Sequence, residues 1–326
     1  MRTLASSIGT VAWCLAATGA AAVDVPLTDK TVIQFADERV AADRLGQVDT
    51  FIDALSPFDR AARVRSERRV SREEFLRVVA AQARSWTEDE TRALTLTIES
   101  IRAGLAPYAA HFPKRILLVK TTGNEEGDAA YCRHDDVIVL PQKMLSDSPR
   151  PLGDLFLHEL FHILSRNNRD LRDSLYRVVG YKPCPPIELP ESLRPRKITN
   201  PDAPVVEHYI EVEADGRTIA AVPVLFSSAA EYDPASGRTF FAYLTFRLLA
   251  IEREGDRWQP MHVGIEPWVL EVADVRGFFE QIGRNTDYII HPEEVLADNF
   301  VLLVSGKRDV PSPKILERIG RLLTEQ

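Results

Sequence analysis

The segment from Pro149 to Arg166 constrains the chain more than any other. It reads as a helix, with prolines at its entrance and Asn167-Asn168 at its exit. Leu155, Phe156, Leu157, Leu160, Phe161, Ile163 and Leu164 make it apolar almost all round, so it belongs in a core. Yet the same segment carries His158, Glu159 and His162. Polar groups in a core need partners. Whatever fold forms must bury this helix and bring groups from elsewhere to meet those three side chains.

The spacing suggests what the partners meet around. His158 and His162 are four residues apart, so both imidazoles leave one helix face and can reach one ion. Neutral imidazole is a good zinc ligand, and zinc lowers the pKa of a water to about 7. Glu159 sits on the neighbouring edge of that face, placed to take a proton from the water and pass it to a leaving amine.

A third ligand must come from elsewhere. A histidine six residues after His162 would supply it in one arrangement, but Asn168 stands there, and Ser165 stands where that pattern needs a glycine. The better candidate is the stretch His291-Pro292-Glu293-Glu294-Val295-Leu296-Ala297-Asp298. Pro292 suits a first helical turn, which puts Glu294 and Asp298 on one face. Glu294 can ligate while Asp298 hydrogen-bonds the free nitrogen of a ligand histidine. Glu293 lies one step off that face. Glu188, Glu191, Asp202 and Glu207 are nearer in sequence but lack a helical context.

A His-Glu-x-x-His helix with a later Glu-x-x-x-Asp helix resembles the zincin metallopeptidases of the gluzincin type, over about residues 115–165 and 285–304. The resemblance implies His158, His162 and Glu294 as zinc ligands, Glu159 as the base and Asp298 as the orienting acid. It implies an α+β, zincin-like fold: an N-terminal helical region, a small mixed sheet over the active-site helix, an inserted β-rich segment and C-terminal helices. It also implies that Val137 to Leu140 is the edge strand that pairs with an extended peptide. The chain departs from compact members in spacing, so about 167–287 reads as the insertion. The function to expect is a zinc metallopeptidase acting on peptide or protein substrates. A hydrolase of another amide, or an idle zinc-stabilised binding module, are the alternatives. For the developing oxyanion, Tyr288, His291, His208, Tyr209 and His262 are candidate donors, and Tyr288 is preferred because it enters the Glu294 helix.

The rest of the chain supplies context. Residues 23–112 read as the helical region, with capping-box signals at Ser71-Arg72-Glu73-Glu74 and Thr87-Glu88-Asp89-Glu90. The arginine-rich run from Arg60 to Arg72 reads as a solvated face or an ion-pair set. Residues 113–326 read as the metallopeptidase-like region. It has strands at 115–120 and 136–140, a Pro-rich irregular segment at 182–200, and strand-like runs at 205–212, 218–225 and 240–249. Helices are expected at 292–304 and 313–324.

Residues 1–22 read as a signal peptide, cleaved after Ala22, and imply export to a periplasmic or extracellular space. Cys132 and Cys184 would then be an even pair, and a bridge between them would contribute about 4 kcal/mol in the chain-entropy model. The net charge of −8 disfavours nucleic acid as a partner. No later segment is apolar enough to span a membrane, and a monomer is expected. His111 and His134 are expected at the surface.

Overall fold

The computed structural model describes residues 24–325, and the expected signal peptide lies outside them. The chain opens with two antiparallel strands, β1 (Asp24–Pro26) and β2 (Val32–Phe35). Four helices follow: α1 (Glu38–Leu45), α2 (Thr50–Ala54), α3 (Pro57–Arg63) and α4 (Arg72–Ala80). Each start is written locally, because Asp37, Asp49, Ser56 and Ser71 accept a first-turn backbone N–H. A two-residue strand, β3 (Ala83–Arg84), leads to α5 (Glu88–Leu105), where Thr87 and Glu90 cap each other's backbone.

Strands β4 (Arg115–Thr121), β5 (Tyr131–Arg133) and β6 (Val137–Pro141) complete a six-stranded mixed sheet in the order β1-β2-β4-β6-β5, with β3 pairing to β4. β2, β4 and β6 are parallel, and β5 returns antiparallel to β6. One face packs Ile33, Phe35, Ile116, Leu118, Ile138 and Leu140 into the main core. The other packs Leu117, Val119, Val137 and Val139 against Phe51, Ile52, Phe75 and Val79. Burial on both faces is why β4 and β6 are continuous apolar runs without alternation.

Two expectations change here. Residues 23–112 are not purely helical, because β1 and β2 belong to the same sheet as β4. Nor is Val137 to Leu140 an edge: β6 is flanked on both sides, and the edge strand on its side of the sheet is β5. The turn chemistry explains it. Gly123 and Gly127 adopt positive φ (87° and 62°), as does His134 (53°), so the chain doubles back and lays Tyr131-Cys132-Arg133 beside β6.

After α6 (Gln142–Ser146) comes α7 (Leu152–Asn167), followed directly by α8 (Arg169–Val178). Asn167 and Asn168 end α7 by donating side-chain N–H groups to the carbonyls of Ile163 (2.8 Å) and Leu164 (2.7 Å). A second sheet has the order β11-β10-β9-β8-β7 and is antiparallel throughout. Its strands are β7 (Tyr181–Pro183), β8 (His208–Ala214), β9 (Arg217–Ser227), β10 (Leu244–Glu254) and β11 (Arg257–Pro260). A small hairpin, β12 (His262–Val263) and β13 (Glu266–Pro267), precedes β14 (Val269–Leu270), which pairs with β10. One face of this sheet joins the main core. The other is covered by Ile187, Leu189 and Leu193 of the Pro-rich segment.

The chain ends with α9 (Phe278–Ile282), α10 (Pro292–Val304) and α11 (Pro313–Thr324). The fold class is α+β. No helix among the described residues is long and apolar enough to cross a membrane.

Cys132 and Cys184 are both free thiols, so the expected bridge is absent. Cys132 lies in β5 beneath α7, whereas Cys184 follows β7 and packs on the outer cluster of the second sheet. The layering of the two sheets, which cysteine counting does not reveal, separates them.

Candidate metal centre

Helices α7 and α10 pack side by side, with the rings of Phe161 and Phe300 5.7 Å apart. His291 caps α10, its Nδ1 accepting the Glu293 N–H at 3.1 Å, and Pro292 opens the first turn. That places Glu293 and Glu294 in the first turn, where the helix dipole favours acids, and against the histidines of α7.

The three residues converge. Glu294 Oε2 lies 3.0 Å from His158 Nε2 and 3.6 Å from His162 Nε2. One ligand atom from each residue falls within 4.8 Å of the others, and all three side chains are buried. The other nitrogen of each ring is held by an acid from α10. Asp298 Oδ1 accepts from His158 Nδ1 at 2.9 Å, and Glu293 Oε1 accepts from His162 Nδ1 at 2.9 Å. These contacts orient both rings so that each Nε2 faces inward, toward Glu294 Oε2.

The acids are held in turn. Arg150 donates to Asp298 Oδ1 at 2.6 Å, and Thr286 donates to Oδ2. Ser165 and Tyr176 donate to Glu293 Oε2 at 2.8 and 2.6 Å. Asn200 donates to Glu294 Oε1 at 2.7 Å, leaving Oε2 to face the imidazoles.

This donor set fits a zinc ion. Two ligands at about 2.0–2.1 Å in a tetrahedron stand about 3.3 Å apart, close to the separations of Glu294 from the two rings. Two neutral imidazoles and one carboxylate also match zinc chemistry. Electrostatics agree that the pocket is built for positive charge. Burial alone would lower His158, but hydrogen bonds to Asp298 and Glu294 outweigh it and hold the imidazole up at about 9. His162 is likewise raised, burial being outweighed by Asp202, Glu294 and Glu293. Burial would raise Glu294, yet His162 and His158 hold it at about 2.

Glu159 is 3% exposed and lies beside this cluster without joining it. Burial, with the charge of Asp202 next, pushes its carboxyl up to about 7. A carboxyl poised there can both accept and return a proton near neutrality. Its neighbours are Cys132, whose thiol donates to the Glu159 carbonyl at 3.4 Å, and Asp202. Cys132, Glu159 and Asp202 also approach within 4.8 Å of one another. They make a poorer metal site, because burial holds the thiol well above its ordinary value and thiolate is the ligand form.

Tyr288 stacks on His158, ring centroids 6.1 Å apart and planes 20° from parallel. Although the residue as a whole is 37% exposed, desolvation at its hydroxyl end and the carboxylates of Glu294, Asp202 and Glu159 raise its phenol well above the usual value, so the hydroxyl keeps its proton and remains a donor. The other oxyanion candidates lie elsewhere or are engaged. His291 caps α10, His208 pairs with Asp173 at 3.0 Å, Tyr209 packs at a tilt against Trp258, and His262 is on the exposed hairpin. Glu207 pairs with Arg169 and Arg172, and Glu188 and Glu191 are exposed.

Several roles were not foreseen. Glu293, one step off the expected face, holds His162 from its Nδ1 side, while Glu294 lies between the two Nε2 atoms. Arg150, Asn200 and Asp202 come from loops, where periodicity says nothing. Of the three, only Asp202 is among the ligand candidates of the sequence, set aside for want of a helical context, and the Asn200-Pro201-Asp202 turn begins where the Pro-rich segment ends. His111 and His134 are less exposed than expected. His111 Nε2 lies 2.8 Å from the Leu323 carbonyl oxygen, and His134 Nε2 lies 3.0 Å from that of Arg44. No family model, curated protein or solved structure matches the chain.

Proposed function

We propose that the chain is a zinc-dependent peptidase of zincin type, exported and acting as a monomer on peptide substrates. The observation that carries this reading is the convergence of His158 Nε2, His162 Nε2 and Glu294 Oε2 beside the carboxyl of Glu159. His158, His162 and Glu294 would hold the ion. Bound there, zinc would supply Lewis acidity toward a carbonyl and lower the pKa of a nearby water.

The remaining chemistry belongs to the chain. Glu159 takes the proton of the attacking water and returns it to the departing amine, the role its place beside the ligand cluster suits. The Tyr288 hydroxyl donates to the oxygen on which negative charge grows. Asp298 and Glu293 keep the imidazoles oriented through the cycle. A zinc-stabilised binding module would have no use for a buried, uncoordinated Glu159, which favours the enzyme reading.

The test is hydrolysis of a mixed peptide library by zinc-loaded protein, read by mass spectrometry, before and after Glu159→Gln. Cleavage by the wild type and its loss in the variant, with zinc retained, supports the proposal. Equal cleavage by both contradicts it.

A further inference from the structure

Three cavities border one stretch of chain. One of about 490 Å³ lies against Asp202 to Val205, one of about 40 Å³ against Ile198 to Asp202, and one of about 20 Å³ against Asn200 and Ala203 to Val206. Asp202 is common to the first two, Asn200 to the second and third, and Ala203 to the first and third, so this stretch is the partition between them. None of the three is lined by His158, Glu159, His162 or Glu294, and those side chains are 5%, 3%, 1% and 2% exposed. The cavities stop one residue short of the metal centre. The second reaches Tyr288, which stacks on His158, and the first and third reach His291, which caps the helix of Glu294.

The stretch is fixed at its ends and pinned by side chains in its middle. The Ile198 N–H donates to the Leu225 carbonyl at 2.9 Å, Arg63 donates to the Thr199 carbonyl at 2.8 Å, and the Val206 carbonyl accepts from the Ile187 N–H at 2.8 Å. Between these points, among the described residues, no backbone N–H of 200–205 bonds to another segment. Two of the six residues are prolines, and Asn200 Oδ1 accepts the Asp202 N–H at 3.0 Å, so the turn keeps its shape without a ladder. Its ties to the site are few. Asn200 donates to Glu294 Oε1 at 2.7 Å, Asp202 Oδ1 accepts the Cys132 N–H at 2.9 Å, and Arg166 donates to the Pro201 carbonyl at 2.7 Å and to Asp202 Oδ1 at 3.4 Å. A segment held in this way can open locally while the domain stays folded. The Cys132 N–H faces away from β6, so the stretch lies along the edge strand, and the space it fills is that of a six-residue peptide.

Resting on the peptidase reading, we infer that residues 200–205 are a strap closed over the metal centre, and that the peptide substrate binds in its place once it opens. The cavities then join into one groove, entered from the largest. The closed state is the resting one, so substrate meets only the open fraction of molecules. Binding through a minor open state raises the apparent dissociation constant by the inverse of that fraction and leaves the rate of the bound complex unchanged. The strap therefore acts on KM and not on kcat.

The experiment loosens the strap in two independent ways, neither of which alters a ligand, Glu159 or Tyr288. Arg166→Met removes the donors to the Pro201 carbonyl and Asp202. Pro201→Gly combined with Pro204→Gly adds backbone freedom to the open state. Zinc-loaded wild type and variants are assayed for KM and kcat on one cleaved peptide, and for the rate at which N-ethylmaleimide labels Cys132, located by mass spectrometry. Cys132 is 0% exposed, and its Sγ lies 3.5 Å from Glu159 Oε2, so its labelling reports opening without any need for catalysis. Each variant should lower KM by at least about fivefold at unchanged kcat, and speed Cys132 labelling by a similar factor while labelling of Cys184 stays constant. A cooperative thermal melt identifies a folded variant, and where one variant does not fold the other decides. Wild-type KM and wild-type Cys132 labelling in a folded variant overturn the inference and leave the peptidase reading standing. Faster Cys132 labelling with no cleavage by any form overturns the peptidase reading and leaves a strap over the metal centre.

Discussion

Glu293 and Glu294 are consecutive in sequence yet meet the same imidazole from its two ends. Glu293 Oε1 lies 2.9 Å from His162 Nδ1, and Glu294 Oε2 lies 3.6 Å from its Nε2. One turn of α10 thus supplies both a candidate ligand and the group that orients its neighbour.

Glu293 should therefore matter to metal binding although it does not touch the ion. Glu293→Gln is expected to weaken zinc binding by about 10- to 100-fold, the usual effect of losing a partner of a ligand histidine. Competition with a chromophoric chelator measures it. Unchanged affinity would remove Glu293 from the account.

Zinc affinity should fall in acid. His158 without metal holds its proton up to about 9, and His162 is raised as well. A protonated imidazole cannot ligate, so binding displaces protons wherever the imidazoles are still charged. The apparent affinity should rise about tenfold per pH unit for each displaced proton and level off as the histidines deprotonate unaided. A flat profile between pH 6 and 8 would contradict the histidine assignment.

Arg63 anchors the loop that carries Asn200 and Asp202. Its guanidinium is buried against Glu126 (2.8 Å) and Asp59 and donates to the Thr199 carbonyl at 2.8 Å. Arg63→Met leaves two buried acids without a cation, which costs about 3–5 kcal/mol. Urea denaturation should show the loss, and Glu126→Gln added to it should recover part. An unchanged midpoint would mean that the cluster does not hold the fold.

Tyr288→Phe removes a hydroxyl without removing the ring that stacks on His158. Zinc content should stay the same, while kcat on a peptide falls by about 10²- to 10³-fold, as for loss of an oxyanion donor. A variant with wild-type kcat would leave the oxyanion to another group.

The two helices that frame the site were legible because helical periodicity places i and i+4 together: His158 with His162, and Glu294 with Asp298. The α+β class was legible from strand-like runs around those helices. What escaped reading depends on how separate elements meet. That β5, and not Val137 to Leu140, forms the edge follows from a turn with Gly123 and Gly127 in left-handed conformations. Glu293 was passed over because a helical wheel ranks faces against one partner helix, whereas His158 and His162 reach α10 at different heights. Asn200, Asp202 and Arg150 sit in loops whose position is set by distant anchors such as Arg63. Cys132 and Cys184 show the converse failure, in which an even count suggested a bridge that the layering of two sheets precludes.

The central claim is that His158, His162 and Glu294 form the metal centre, and locating the ion tests it most directly. In a crystal of zinc-loaded protein, anomalous scattering at the zinc edge should give one peak about 2.0–2.2 Å from His158 Nε2, His162 Nε2 and Glu294 Oε2. A peak among Cys132, Glu159 and Asp202 instead, or none at all, would contradict it.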